Sequence, residues 1–220
     1  FYNNFYLANH ASIVIVGDIN IKLAEKIASD ISKGFPVNLE AAYYPEVKIT
    51  KSQNIRIPHP SSQAHLYFGA PIMKRGDPDF FPLYVGNYIL GGGGFVSRLT
   101  GEVREKNGLV YSVYSYFMPF LETGPFQIGL QTSKDQLDKA LNLVRKTTND
   151  FIENGPTEKE LTAAKSNMIG GFPLRLDSNK KIVQYISMMA FYDYPLDYLD
   201  TFSDKVNAVT VEQIKNAFKK

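Results

Sequence analysis

The chain has 220 residues, of which 44% are apolar and 21% charged, a globular composition that excludes a disordered, collagen-like or coiled-coil chain. Lys and Arg number 24 against 22 Asp and Glu, and a net charge of +2 lacks the basic excess typical of nucleic-acid-binding proteins. Cysteine is absent, which excludes a disulfide framework, a thiolate zinc site and cysteine catalysis.

The longest uncharged run, residues 80–97, is nominally long enough to span a membrane. It contains Pro82, Gly86 and a run of glycines, so the sequence predicts a helix that continues into a loop, and no membrane span. The chain begins at Phe1 without a Met and without a basic segment followed by an apolar one. We therefore interpret it as a fragment of a longer protein.

The first half of the chain alternates β-branched runs with helical periodicities. The β-branched runs predict three strands, at residues 11–17, 48–57 and 63–69. Asp18 is placed to cap a helix after the first strand, and residues 38–47 predict a loop. The pair Asp77 and Pro78 begins a further helix, which ends at the glycine run near Leu90.

The second half begins with a short helix, predicted from the helical spacing of Val96, Leu99 and Val103. Turn residues then separate two strands, at residues 109–117 and 126–132. Everything from Ser133 onward indicates helix, and the predicted helices start or lie at residues 137, 157, 178–192, 196–207 and 210. Two of these helices begin with capping boxes, namely Thr157 with Glu160 and Thr210 with Gln213.

This order of elements predicts the fold class. Neighbouring strands that can pair, with helices segregated from them, favour an α+β domain. We expect a mostly antiparallel sheet, helices packed on one of its faces and a helical C-terminal tail. No stretch resembles a linker or an internal repeat, so residues 1–220 are predicted to form a single domain.

The histidines do not form a recognisable metal site. His10, His59 and His65 lack the spacing that places two ligands on one helical turn, and neither H-E-x-x-H nor H-x-x-E-H occurs. We interpret all three as edge or loop residues. The sequence predicts no metal ligand and no catalytic residue in this chain.

Four consecutive glycines, Gly91, Gly92, Gly93 and Gly94, follow the predicted helix. Their surroundings match neither a phosphate-binding loop nor a dinucleotide fingerprint, since no Gly-Lys-Ser/Thr follows and no strand precedes them. Because four glycines are costly to order, two interpretations remain. The run is either a turn between helices that needs left-handed conformations or a flexible flap over a binding surface.

The most informative segment is residues 97–115, SRLTGEVREKNGLVYSVYS. Leu99 and Val103 define its buried stripe, which leaves Arg104 about 140° away from Leu99 and pointing outward. Tyr111 lies in the strand that follows. Together the guanidinium and the phenol could bind backbone carbonyls or a carboxylate. Alternatively, Arg104 pairs with a surface acid and Tyr111 packs in the sheet.

Two segments, FYNNFYLANHASIVIVGDI and YILGGGGFVSRLTGEVREKNGLVYSVYS, closely resemble the non-catalytic type of domain in M16 zinc peptidases. That family includes pitrilysin, insulin-degrading enzyme and the mitochondrial processing peptidase, and the resemblance extends over essentially all 220 residues. It implies the LuxS/MPP-like metallohydrolase fold and a single non-zinc domain of the C-terminal type.

The resemblance also implies a division of labour. A zinc-bearing M16 domain, in the same polypeptide or on another subunit, would carry H-x-x-E-H, while Arg104 and Tyr111 here would hold an extended peptide substrate. The glycine run would correspond to a loop that contributes to substrate handling in the mitochondrial members. Zinc would thus belong to the partner, and this chain alone should be inactive.

An alternative is a scaffold or assembly subunit that keeps the M16 fold without peptidase activity, as core subunits of the respiratory bc1 complex resemble the same family. A freestanding peptide-binding module also stays open. The sequence leaves the compartment undetermined, although the habits of the family and the lack of cysteine point to the bacterial periplasm.

Overall fold

The computed structural model describes residues 5–37 and 45–220. The predicted loop over residues 38–47 therefore lies mostly outside the described residues, and residues 45–47 have no regular structure. The chain divides into two compact units, one formed by residues 1–45 and 170–203 and the other by residues 46–169 and 204–220. The single domain expected over residues 1–220 stays a prediction.

In the part of the chain that the structure describes, the larger unit contains a three-stranded antiparallel sheet in the order β1-β3-β2. The strands are β1 (Gln63–Met73), β2 (Ser112–Phe117) and β3 (Gly124–Ser133). The central strand buries alternate residues, among them Phe126, Ile128 and Leu130, on one face. The three strands confirm the predictions at residues 63–69, 109–117 and 126–132, with bounds that differ by a few residues.

The described helices are α1 (Ile21–Ser32), α2 (Phe80–Asn87), α3 (Leu137–Asn154), α4 (Glu158–Gly170), α5 (Asn179–Phe191), α6 (Tyr198–Ala208) and α7 (Val211–Phe218). Short helical turns lie at Ala8–His10, Tyr88–Gly92, Gly94–Val96, Thr100–Glu105, Lys134–Gln136 and Pro173–Arg175. An antiparallel sheet with segregated helices and a helical C-terminal part confirms the predicted α+β class. Within the described ranges, no helix combines the length and apolar character that crossing a membrane requires.

Local capping explains where several helices begin. The Thr157 amide donates to the Glu160 carboxylate over 2.7 Å, and the Glu160 amide donates to the Thr157 hydroxyl over 3.2 Å. The predicted capping box at Thr210 and Gln213 forms in the same way, with bonds of 2.9 and 3.1 Å. Both predictions are confirmed, because the interaction depends only on residues within one turn.

The predicted cap at Asp18 is wrong. Helix α1 begins two residues later than the sequence suggested, and Asn20 accepts the hydrogen bond from the Leu23 amide over 3.0 Å. Asn caps as well as Asp does, so the residue type alone did not decide between the two positions.

Two predicted strands are also wrong, those at residues 11–17 and 48–57, which have no regular structure. Their isoleucines stay largely in water: Ile13 is 41% exposed, and Ile49 is 79% exposed. β-branched residues fit a strand only when a neighbouring strand pairs with their amides and carbonyls. In the described parts of the chain, neither run has such a neighbour.

The core of the larger unit lies between the sheet and α2, α3 and α7. Phe151 on α3 is fully buried, and its ring meets that of Phe218 on α7 edge-on, with centroids 4.9 Å apart. Gly86 on α2 permits this approach, since a Cβ there would lie 2.5 Å from the Phe218 ring. The smaller unit has an aromatic core of its own, in which Phe172 and Phe202 stack at 4.2 Å.

Candidate functional site

The candidate site lies on the helical segment Thr100–Glu105 and the chain that follows it. Leu99 and Val103 are fully buried, whereas the Arg104 side chain is 30% exposed, on the side that the spacing predicted. Gly108 has φ of +60° and its amide donates to the Arg104 carbonyl over 2.8 Å, which ends the helix. The chain then turns toward β2 and brings Tyr111 back beside Arg104.

The structure brings Arg104 and Tyr111 together and adds Phe95 to them. The guanidinium carbon of Arg104 lies 5.7 Å from the ring centroid of Tyr111 and 4.8 Å from that of Phe95. Both distances are within the range of cation–π attraction. These three residues are called the Arg104 cluster below.

Both rings of the Arg104 cluster stand in water. Tyr111 is 86% exposed and Phe95 is 75% exposed. Tyr111 precedes the first residue of β2, so the predictions that it lies in the strand or packs in the sheet are wrong. The ring is nevertheless accessible, which is what a binding role requires.

The charge of Arg104 is only loosely balanced. Its nearest carboxylate belongs to Glu105, whose Oε1 lies 3.7 Å from Arg104 Nε, too far for a hydrogen bond. Within residues 5–37 and 45–220, the guanidinium makes no hydrogen bond. The alternative prediction, that Arg104 pairs with a surface acid, is supported only by this long contact to Glu105. The N–H donors of Arg104 are therefore available to a ligand.

The glycine run has reasons of packing and geometry. A Cβ on Gly91 would lie 2.3 Å from the Ser115 hydroxyl of β2, and a Cβ on Gly93 would lie 2.6 Å from the Tyr88 carbonyl. Gly94 alone among the four has a left-handed φ, +62°. The run continues the helix through Tyr88–Gly92 and then turns, which is the first of the two interpretations; a role in substrate handling stays a prediction.

Arg98 is a residue that the sequence did not single out. Its Nε and Nη2 donate to the two carboxylate oxygens of Glu160 over 2.7 Å each, and Nη2 also donates to the Gly155 carbonyl over 3.1 Å. Its guanidinium carbon lies 5.1 Å from the Phe151 ring. These bonds join the site segment to the turn between α3 and α4.

The Arg98 contact changes the electrostatics of Glu160. Hydrogen bonding by Arg98 is the main cause that lowers the pKa of Glu160 to about 2; burial opposes the change, and the hydrogen bonds from Thr157 add to it. The carboxylate is therefore charged whenever the domain is folded near neutral pH. Arg98 has a structural role as a clamp and is not free to bind a ligand.

Phe95 was also missed, and Val96 was misplaced. The sequence grouped Val96 with the helical pattern of Leu99 and Val103, yet Val96 precedes the helix and is 78% exposed. The available signal was the position of Phe95 and Val96 directly after Gly94, where an apolar pair in a turn has no helix face on which to be buried.

The three histidines show no arrangement typical of a metal site in the described parts of the chain. His10, His59 and His65 are exposed, and among the described residues no group of three or more His, Asp or Glu side chains could hold a metal ion. The residues that the structure describes therefore do not fit a zinc site, and zinc in a partner domain stays a prediction.

A shallow groove of about 410 Å³ lies elsewhere in the larger unit, along the end of β1 and the beginning of β3. Tyr67, Phe68 and Phe126 are among its lining residues, and neither Arg104 nor Tyr111 lines it. The Arg104 cluster is therefore separate from this groove, and both of its rings lie on the surface.

Comparison with known proteins identifies the family of this chain. The family description "Peptidase M16 inactive domain" matches residues 1–168. A crystal structure of a peptidase M16 inactive domain from Pseudomonas fluorescens is 41% identical, with a TM-score of 0.86 over 93% of this chain and 48% of that one.

Two curated relatives match 96% of this chain. "Non-peptidase homolog YmxG" of Helicobacter pylori is 32% identical, and "Uncharacterized zinc protease YmxG" of Bacillus subtilis is 30% identical. The chain spans about half the length of these relatives, 49% and 51% respectively. On the family match and these identities, the chain belongs to the M16 peptidase family and is an M16 inactive domain.

Proposed function

We propose that this domain holds substrate for a zinc peptidase: Arg104 and Tyr111 bind the backbone of an extended peptide, and a zinc site in another domain or subunit hydrolyses it. One observation carries the proposal. The guanidinium carbon lies 5.7 Å from the ring centroid of the 86% exposed Tyr111, the Arg104 side chain is itself 30% exposed, and its donors are free of hydrogen bonds in the described parts of the chain.

The chemistry of the pair supports binding to backbone carbonyls. Arg presents several N–H donors in a fixed plane, and Tyr adds one O–H donor. Donors held in place by a packed helix can orient a peptide bond and stabilise negative charge that develops on its carbonyl oxygen during attack. Val103 anchors the backbone of the segment from its buried side, and the Phe95 and Tyr111 rings flank the guanidinium.

The proposed partner is a zinc-bearing M16 domain. The chain covers 51% of a Bacillus subtilis relative named a zinc protease, which leaves room in such a protein for a second domain of similar size. The same polypeptide or a separate subunit could supply it. We further propose that the 220 residues act as one domain of such an assembly.

Peptide binding tests the proposal directly. We expect an unstructured, fluorescently labelled peptide to bind the 220-residue chain, and Arg104→Ala to weaken binding about tenfold, since charge-assisted hydrogen bonds are lost. Tyr111→Phe, which removes one hydroxyl, should weaken it about threefold. Fluorescence anisotropy measures both.

Lys106→Ala is the matched control, because Lys106 lies two residues after Arg104, is 68% exposed and carries the same charge. If Arg104→Ala and Lys106→Ala weaken peptide binding equally, the loss comes from the change in net charge. The role assigned to Arg104 is then refuted. Hydrolysis by the chain combined with its zinc-bearing partner should fall in the same order across the variants.

A second candidate function is a scaffold that keeps the fold without peptidase activity. The Helicobacter pylori relative, 32% identical, is named a non-peptidase homolog, and this observation favours it. The scaffold predicts stable assembly with partners, no hydrolysis in the complete assembly and unchanged assembly when Arg104 is replaced. Peptide turnover by the full complex separates the two functions.

A further inference from the structure

We infer that Phe95 contacts an apolar side chain of the bound peptide, so that the site selects substrates carrying a large apolar residue beside the backbone segment held by Arg104. This inference rests on the proposed peptide-binding function and adds the class of substrate. It assigns a role to a residue that neither the sequence motifs nor the family comparison singled out.

The first support is the exposure of Phe95 beside a charged binding group. Phe95 and Val96 are 75% and 78% exposed and follow one another in the chain. The Phe95 ring lies closer to the Arg104 guanidinium than the Tyr111 ring does, 4.8 against 5.7 Å. A peptide bound to the donors of Arg104 would therefore place a neighbouring side chain within reach of Phe95.

The second support is that the turn carrying Phe95 has a fixed backbone. Gly94 adopts φ of +62°, and its carbonyl accepts from both the Ser97 amide, at 3.1 Å, and the Ser97 hydroxyl, at 2.8 Å. Ser97 itself is buried. Phe95 is thus presented outward by a hydrogen-bonded turn, and little ordering is needed when a ligand contacts it.

The third support is the local charge, which favours a neutral ligand. Glu105 lies 3.7 Å from Arg104 Nε, and Glu102 lies on the same segment, bonded to Lys106 over 2.6 Å. Glu105 partly balances Arg104 and Glu102 pairs with Lys106, so these four side chains have no excess positive charge that would attract an acidic side chain. Backbone carbonyls with an apolar side chain next to them fit this surface better than a carboxylate does.

Two peptides that differ at one central position, Leu in one and Ser in the other, test the inference on the 220-residue chain. We expect the wild type to bind the Leu peptide about fivefold more tightly, because the Leu side chain leaves water on contact with Phe95. Phe95→Ala should abolish that preference, so that the Leu and Ser peptides bind this variant with equal affinity. Fluorescence anisotropy measures all the affinities.

Phe120→Ala serves as control, since Phe120 is a 52% exposed aromatic residue outside the Arg104 cluster, and it should retain the fivefold preference. Thermal unfolding checks that Phe95→Ala folds, as the exposure of Phe95 leads us to expect. A preference that persists in Phe95→Ala, or an equal loss of both peptides, overturns the inference.

Arg104→Ala, measured with the same two peptides, distinguishes a failure of the role assigned to Phe95 from a failure of the proposed peptide-binding function. If it weakens both peptides while Phe95→Ala changes neither, the backbone-binding function stands and the role of Phe95 is refuted. If Arg104→Ala changes neither peptide, the proposed function itself is refuted and the inference falls with it.

Discussion

Arg98 and Arg104 lie on the same short stretch of helix, yet their guanidinium groups have opposite surroundings. Arg98 is bound by both oxygens of Glu160, by the Gly155 carbonyl and by the face of Phe151. Arg104 has only a long contact to Glu105 and two exposed aromatic rings beside it. Sequence places two arginines on one element; only the structure distinguishes the clamp from the available donor.

This contrast divides the chain from Gly91 to Tyr111 into an inner side, packed against the rest of the unit, and an outer side. The inner side, with Gly91, Arg98 and Leu99, is packed against β2 and the turn between α3 and α4. The outer side carries the Arg104 cluster. Substitutions on the inner side should therefore alter stability, and substitutions on the outer side should alter binding.

The largest expected effect is on the clamp. Arg98→Ala removes three charge-assisted hydrogen bonds, two of them to Glu160, and leaves the half-buried Glu160 carboxylate without its cation, so the free energy of unfolding should fall by about 3 kcal/mol. Arg104→Ala should lower it by about 1 kcal/mol or less, since its ring contacts are exposed. Urea unfolding measures both, and equal losses would erase the contrast between the two arginines.

Glycine positions sharpen the same division. Gly91→Ala would place a Cβ 2.3 Å from the Ser115 hydroxyl and 2.8 Å from the Ser115 amide nitrogen, so we expect a loss of about 2 kcal/mol. Gly101→Ala, with nothing within 4 Å of its Cβ, should stabilise the helix by about 0.5 kcal/mol or more. Chemical denaturation of the pair checks this, and a stable Gly91→Ala variant would contradict tight packing on the inner side.

The smallest expected effect is a change in pH dependence. In the unfolded chain Glu160 takes up a proton near its ordinary pKa of 4.5, whereas in the folded domain it stays charged down to about 2. The unfolded state thus binds more protons in this range, and the stability from Glu160 is present above pH 4.5 and lost as pH falls toward 2.

Glu160→Gln removes this titrating group, so its stability should fall less steeply with acidification than that of the wild type. The difference between the free energies of unfolding of wild type and Glu160→Gln should become smaller as pH falls below about 4.5. Glu158→Gln, an exposed neighbour in the first turn of α4, is the control and should follow the wild-type slope. Parallel curves of stability against pH for wild type and Glu160→Gln would show that the pKa of Glu160 is not lowered in the folded domain.

Features decided within a few residues could be predicted from the sequence. Both capping boxes depend on contacts three residues apart, and the outward direction of Arg104 follows from its angle to Leu99 and Val103. The Arg98 clamp could not be predicted, because Glu160 lies 62 residues further along the chain and had already been assigned to its cap.

The two wrong strands have the same explanation. Residues 11–17 and 48–57 have strand-forming composition, but a strand also needs a partner whose position no local pattern reveals. Phe95 was missed for a different reason. A single exposed aromatic residue in a turn has no periodicity, so only its contact with Arg104, on another turn of the chain, draws attention to it.

The Glu160 carboxylate accepts hydrogen bonds from two places at once, the Thr157 amide at the start of α4 and the Arg98 side chain. Loss of either contact weakens the ordering of the other, so the two are not additive. We therefore expect the first turn of α4 and the stretch that carries Arg98 to open together in local unfolding.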